Sequence, residues 1–259
     1  MAYVAESGHW YDREGNPAYE VPNKSKGGMR PTRITDAKKM DLVPSVTAIL
    51  KILDKPALTN WKVEQAIKAA IHHPFKEGSE NEYIKFIKDK SMEEATQARD
   101  TGSEIHGAIE EWFRGNMDHK LVIQYLPWCQ KVDGILADEF GDGMEWKAER
   151  SFSSSLGYGG KCDLHGYDEN GNLIVLDFKT KDFSKGKPKA YDEQGMQLAA
   201  YAVGFDTLID ARLFNVFIDR DTPEATMIEW DESQHDRLFA MFTHSLNLWK
   251  AFKKFDPSY

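Results

Sequence analysis

The segment GYGGKCDLHGYDENGNLIVLDFKTKD, which begins at Gly157, and EQGMQLAAY, which begins at Glu193, constrain this chain more than any other part of it. Leu173-Ile174-Val175-Leu176 is a continuous apolar run of strand length, as expected for a strand buried on both faces. A shorter apolar segment carrying Asp163 precedes it, and a Gly-containing turn separates the two. The pattern predicts adjacent strands with Asp163 and the pair Asp177/Lys179 near the same end. Side chains at i and i+2 of a strand share a face, so Asp177 and Lys179 project together. Two carboxylates beside a lysine suit a hard divalent cation and the water it activates, the layout of a metal-dependent phosphodiesterase.

The remaining periodicity predicts helices over 57–72 and 79–115, the second with Ile105, Ile109, Trp112 and Phe113 on its buried face, and another over 119–140. Strands are expected at 145–153, 158–167, 172–178, 209–219 and 225–230, and helices at 190–205 and 233–254. HWYDREGNPAYEV reads as two short aromatic strands around a turn, residues 23–42 as an exposed basic loop, and Ser45 as the N-cap of a short helix. The expected fold class is α/β: a central mixed β-sheet flanked by helices, with an N-terminal helical lobe. The division is 1–43 (hairpin and basic loop), 44–141 (helical lobe) and 142–259 (core), with lobe and core forming one compact unit.

No apolar run approaches the roughly 20 residues of a membrane span. The first twenty residues lack an apolar stretch and include Glu6, Asp12, Glu14 and Glu20, against a secretory signal or an Arg-rich presequence. A cytoplasmic location is therefore expected, that of the host if the chain is phage-encoded. Cys129 and Cys162 are too few for a four-thiolate zinc or iron–sulfur site and are expected to be free thiols. The net charge of −9 opposes nonspecific attraction to a polyanion. Against that background, Lys179, Lys181, Lys185, Lys187 and Lys189 form a local basic run beside the paired acids, with Asp182 the only acid among them.

Four spaced motifs occur in the order Gly102-x-x-x-His106, Gly160-x-x-Asp163, Asp177-x-Lys179 and Gln197-x-x-x-Tyr201. In this the chain resembles the PD-(D/E)XK nuclease superfamily, specifically its RecB-like exonuclease branch. The segments PSVTAIL (from Pro44) and TGSEIHGAIE (from Thr101) are similar to those of the mitochondrial genome maintenance exonucleases and their phage relatives. The resemblance covers residues 44–205 and belongs with the members that lack an iron–sulfur cluster. It implies a Mg²⁺- or Mn²⁺-dependent DNA exonuclease of replication, recombination or repair, acting on single-stranded or free ends. Asp163, Asp177, His106 and the backbone carbonyl of Phe178 would hold the metal. Lys179, with an ordinary pKa near 10.4, would position the attacking water and stabilise charge rather than act as a base.

Gln197 and Tyr201, four apart on a helix, share a face and suit phosphate contacts or the orientation of Lys179. Glu110, one turn beyond His106, is placed to hydrogen-bond the imidazole, and Glu149 is an additional acid. Ser45 and Thr47 are placed for phosphate contact from a helix N-terminus, with plain N-capping an equal reading for Ser45. Lys181, Lys185, Lys187 and Lys189 are the expected DNA contacts, with Lys24, Lys26, Arg30 and Arg33 the next candidates. Two rivals remain: a structure-specific endonuclease on the same core, and a catalytically silent DNA-binding subunit. A glycosidase built on paired carboxylates would need neither Lys179 nor the lysine run.

Overall fold

A computed structural model of the protein describes residues 9–23, 27–205 and 207–259, apart from the side chains of Ala57, Glu94, Ala95 and Lys185. Its centre is a five-stranded sheet of β5 (Lys147–Ser154), β6 (Tyr158–Tyr167), β7 (Leu173–Lys181), β8 (Arg212–Asp219) and β9 (Ala225–Trp230), adjacent in that order. Neighbours are antiparallel except β7 and β8, which run parallel and are joined through α7 (Asp192–Phe205). This is the mixed sheet flanked by helices that the sequence predicts. Residues Leu173–Phe178 of β7 are buried because helices cover both faces of the sheet.

One face packs against α4 (Glu80–Phe113) and α6 (Leu126–Phe140), through Ile105, Ile109, Val132 and Leu136 on Ile174, Leu176 and Val216. The other carries α2 (Val46–Leu50), α7 and α8 (His235–Lys253), with Ile49, Ala199 and Phe242 packed around Val175 and Leu213. Residues Gln194–Ala202 of α7 are all buried, because the helix lies between the sheet and α8. The first half of α4 pairs instead with α3 (Pro56–His72). Among the described residues no helix is long and apolar enough to cross a membrane. Cys129 and Cys162 are free and buried in opposite cores.

Three expectations about element boundaries need correction. Residues 9–21 do not form a hairpin of paired strands: β1 (Trp10–Tyr11) pairs with β4 (Val43–Pro44), and β2 (Glu20–Pro22) with β3 (Met29–Pro31). The turn between β1 and β2 is closed by the bridge of Tyr11 to Pro17 and by the backbone bonds from Asp12 N to Asn16 O at 3.0 Å and from Ala18 N to Trp10 O at 2.8 Å. Residues 23–42 therefore contain β3 and also α1 (Ile34–Met40), whose Ala37 is fully buried. The helix expected over 119–140 is two, α5 (Lys120–Gln124) and α6, broken at Tyr125 because Pro127 offers no N–H to a continuing helix and is accepted only in a first turn.

The two acids also lie within their strands rather than at the ends. What ends beside them is the ladder: β6 and β7 pair from Tyr167↔Leu173 to Leu164↔Leu176 and then part. Beyond that point β6 continues beside β5 and β7 beside β8, so the sheet forks at Asp163 and Asp177. Cys162 and Leu164 pack into opposite cores although residues two apart on an even strand share a face, which marks a kink in β6 at Asp163. Across the register from it stands Glu149, a non-glycine residue at φ +60°.

Candidate active site

The fork lets side chains from both faces of the sheet meet. Asp163 fills the gap in the ladder: its Oδ2 accepts the Phe178 N–H at 2.8 Å. A strand residue sends its N–H and C=O to the same side, so the Phe178 carbonyl also faces the fork. Asp177, 2% exposed, receives three side-chain donors. Lys179 Nζ donates to Oδ1 at 2.8 Å and lies 2.6 Å from Oδ2, Gln197 Nε2 donates to Oδ1 at 2.8 Å, and Asn215 Nδ2 donates to Oδ2 at 3.0 Å. Gln197 in addition donates to the Tyr201 hydroxyl at 2.9 Å and accepts from Lys179 at 3.4 Å. The shared strand face of Asp177 and Lys179 and the shared helix face of Gln197 and Tyr201 thus converge, and Gln197 orients Lys179.

All of these except Asn215 line one cavity of about 280 Å³ together with His106, Ser45, Thr47, Gly160, Lys161, and His9, Tyr11 and Tyr19 from the N-terminal segment. A smaller recess of about 30 Å³ opens beside it, lined by His106, Glu110, Glu149, Asp163 and Phe178. That is space for a water- or ion-sized group. His106 stands edge-on to Phe178 with ring centroids 6.2 Å apart. Glu110 does not hold the imidazole as expected: its carboxylate engages Arg114, a better partner one turn on. Glu149 is paired with Lys161.

Burial sets the electrostatics. It raises the pKa values of Asp163 and Asp177 above the ordinary carboxylate range, against the opposing pull of Lys179. It also depresses that of His106, to about 4, with the Lys179 ammonium adding to the effect and Asp177 resisting it. The imidazole is therefore neutral at pH 7, the form that ligates metals. For Lys179 burial pulls the other way, but Asp177 and Asp163 outweigh it and hold the pKa above the usual lysine value. Its partners thus favour the ammonium form of Lys179.

The donor set fits a divalent cation. Asp163 and the neutral imidazole of His106 line the recess of ionic size, Asp177 stands on the adjoining cavity, and neither Asp163 Oδ1 nor the His106 ring has a hydrogen-bond partner among the described residues. A second acidic group, Asp182, Asp219 and Asp221, brings three carboxylates within 4.8 Å of one another and can also hold a cation.

Gly160 has a steric reason. A Cβ there would lie 2.7 Å from Tyr201 Cε1 and 2.9 Å from Phe152 Cε1, so the bare backbone makes room for Tyr201. Gly102 is less constrained, since a Cβ would meet Thr180 at 3.4 Å, an ordinary contact. Ser45 caps α2 by accepting from Ala48 N at 3.0 Å, and its hydroxyl lies 3.1 Å from that of Thr47. Lys181, Lys187 and Lys189 are exposed, but they do not line the cavity. Arg30 is engaged in a two-pronged pair with Asp36, and Lys24 and Lys26 lie outside the described residues. Sequence reasoning missed Asn215, Lys161 and the three aromatic residues. Asn215 had a signal, a lone amide in the apolar strand RLFNVFID.

No protein-family model and no curated protein matches the chain. Among solved structures it is similar to a candidate exonuclease from Eubacterium rectale, at 14% identity over 60% of this chain and 68% of that one, with a TM-score of 0.40. It is also similar to an alkaline exonuclease from Laribacter hongkongensis, at 15% identity over 48% of this chain and 66% of that one, with a TM-score of 0.33. At TM-scores below 0.5 these likenesses carry no weight for function, which rests on the site itself.

Proposed function

We propose that this chain is a Mg²⁺- or Mn²⁺-dependent DNA nuclease of the RecB-like PD-(D/E)XK kind, an exonuclease acting from free, single-stranded ends. One observation carries the reading: Asp163, Asp177, Lys179, His106 and Gln197 line a single cavity at the fork of the sheet. Asp163, Asp177, His106 and the Phe178 carbonyl are the residues that would hold the cation. Bound there, it supplies an activated water and Lewis-acid stabilisation of phosphoryl charge.

The chain's own groups do the remainder. Lys179, fixed by Asp177 and Gln197, sets a positive charge where the phosphoryl oxygens gather negative charge as the water oxygen bonds to phosphorus and the leaving oxygen departs. Gln197 keeps Asp177 and Lys179 in mutual register, and the Tyr201 hydroxyl anchors Gln197. Exposed Lys181, Lys187 and Lys189, with Lys185, supply backbone contacts away from the reacting phosphate. A silent DNA-binding subunit would need none of the buried acids.

Incubation with end-labelled linear and circular DNA, single- and double-stranded, in Mg²⁺ or EDTA tests the reading. The expected result is degradation of linear single strands in Mg²⁺ alone. Efficient cutting of closed circles would favour the endonuclease, and absence of cleavage in both Mg²⁺ and Mn²⁺ would overturn the nuclease reading.

A further inference from the structure

The wall of the cavity facing the acids is aromatic. Tyr11, Tyr19 and His9 all line it. The Tyr19 and His9 rings are stacked, with centroids 4.4 Å apart and planes 23° from parallel. Tyr11 meets Tyr19 edge-on at 5.6 Å, and their hydroxyls lie 2.8 Å apart. Tyr11 is fully buried, Tyr19 half-buried and His9 exposed, so the cluster grades from core to solvent.

The backbone holds this cluster against the site. β1 is paired with β4, the His9 carbonyl accepts the Ser45 N–H at 2.8 Å, and Ser45 bridges to Gly159 on β6. A Cβ on Gly159 would stand 2.9 Å from Tyr11 Cδ2, so the glycine lets the ring approach the strand that carries Asp163. A volume of about 280 Å³ sits just below the roughly 300–1,000 Å³ range for ligand sites, room for one nucleotide rather than a base pair.

Resting on the nuclease reading, the geometry points to a base-stacking subsite: the Tyr19–His9 pair receives one unpaired nucleobase next to the phosphate held at the acids. Every base has a π-face, so the subsite selects single-stranded substrate without selecting sequence. Tyr11 acts through Tyr19, whose ring it orients.

The test uses hexanucleotides that each carry one tetrahydrofuran abasic residue, with binding measured by fluorescence anisotropy in Ca²⁺. In the wild-type protein, one abasic position should weaken binding about fivefold to hundredfold. That penalty should vanish in Tyr19→Leu, shrink in His9→Ala and persist in Tyr19→Phe, which keeps the ring. His9 is exposed, so the His9→Ala arm does not depend on refolding of the aromatic cluster. Tight binding with no abasic penalty at any position overturns the subsite, as does a penalty undiminished in both Tyr19→Leu and His9→Ala. Absence of wild-type binding to every oligonucleotide overturns the nuclease reading instead.

Discussion

Asn215→Leu separates a site that is held in place from one that merely happens to be near. Asn215 is fully buried beside Asp177 in the parallel register of β7 and β8. Its Nδ2 donates to Asp177 Oδ2 at 3.0 Å, and its Oδ1 accepts from Trp230 Nε1 at 2.9 Å. Leucine fills nearly the same volume and makes neither bond. Losing a hydrogen bond to a charged acceptor costs about 1.5–3 kcal/mol, and stranding the indole N–H costs about 1–3 kcal/mol. The added apolar burial returns roughly 1–2 kcal/mol. The net, about 2–4 kcal/mol, lowers Tm by roughly 5–15 °C in a chain of this size. Freed of one of its three donors, Asp177 should also bind metal about 10–100-fold more weakly. Trp230→Phe is the control: it removes the indole donor, leaves Asn215 on Asp177, and should cost about 1 kcal/mol with metal affinity unchanged. Urea denaturation in EDTA and calorimetric titration with Mn²⁺ read the two effects separately. If Asn215→Leu is destabilised but binds Mn²⁺ as tightly as wild type, the Trp230–Asn215–Asp177 chain is structural and the reasoning fails.

Asp163→Ala, Asp177→Ala and Lys179→Ala should each abolish cleavage in folded protein, because a lost ligand or positioned charge costs several kcal/mol of barrier; more than about a tenth of wild-type rate in any of them, measured by single-turnover kinetics, refutes its assignment. Gly160→Ala should push Tyr201 off Gln197 at an overpacking cost of about 1–3 kcal/mol, lowering cleavage more than stability; paired activity and urea curves check it. Replacing Lys185, Lys187 and Lys189 with Gln should flatten the log–log salt dependence of single-strand binding by about 0.7 per lost phosphate contact, with cleavage at saturation little changed; an unaltered slope in Ca²⁺ would make the run a solvated loop.

The core strands were legible because burial on both faces writes a continuous apolar run, as in Leu173–Leu176, and the i, i+2 rule then placed Asp177 with Lys179. α7 was legible for a similar reason: beyond Asp192 and Glu193 in its first turn its residues are apolar all round except at Gln194 and Gln197, whose amides find buried partners. The N-terminal pairings were not. A two-residue strand such as Trp10–Tyr11 carries no periodicity, and its partner lies 32 residues on at Val43–Pro44. The fork was invisible too, since parting of β6 from β7 is a property of what each pairs with on its far side. Nor could spacing reveal that Glu110 would be taken by Arg114, because both Arg114 and His106 lie four residues from Glu110 and satisfy the same helical geometry.

The two acidic groups of the protein show why number and closeness of carboxylates do not by themselves define a catalytic centre. Asp182, Asp219 and Asp221 are the more tightly gathered, but their oxygens already serve the turn around them. Asp219 accepts from Phe183 N at 2.9 Å, from Thr222 N at 3.0 Å and from the Thr222 hydroxyl at 2.6 Å; Asp182 caps Ser184, and Asp221 pairs with Arg220. Backbone N–H groups cannot step aside for a cation without unmaking the turn, so a cation there competes with structure. At the fork the donors to Asp177 are side chains, Lys179, Gln197 and Asn215, and a lysine can swing from a carboxylate to a phosphate as charge arrives. Burial, which raises the pKa values of Asp163 and Asp177, makes their negative charge costly until a cation neutralises it. A carboxylate pair destabilised by its own surroundings, with movable donors and a neutral imidazole at hand, gains more from a divalent ion than one already satisfied by the backbone.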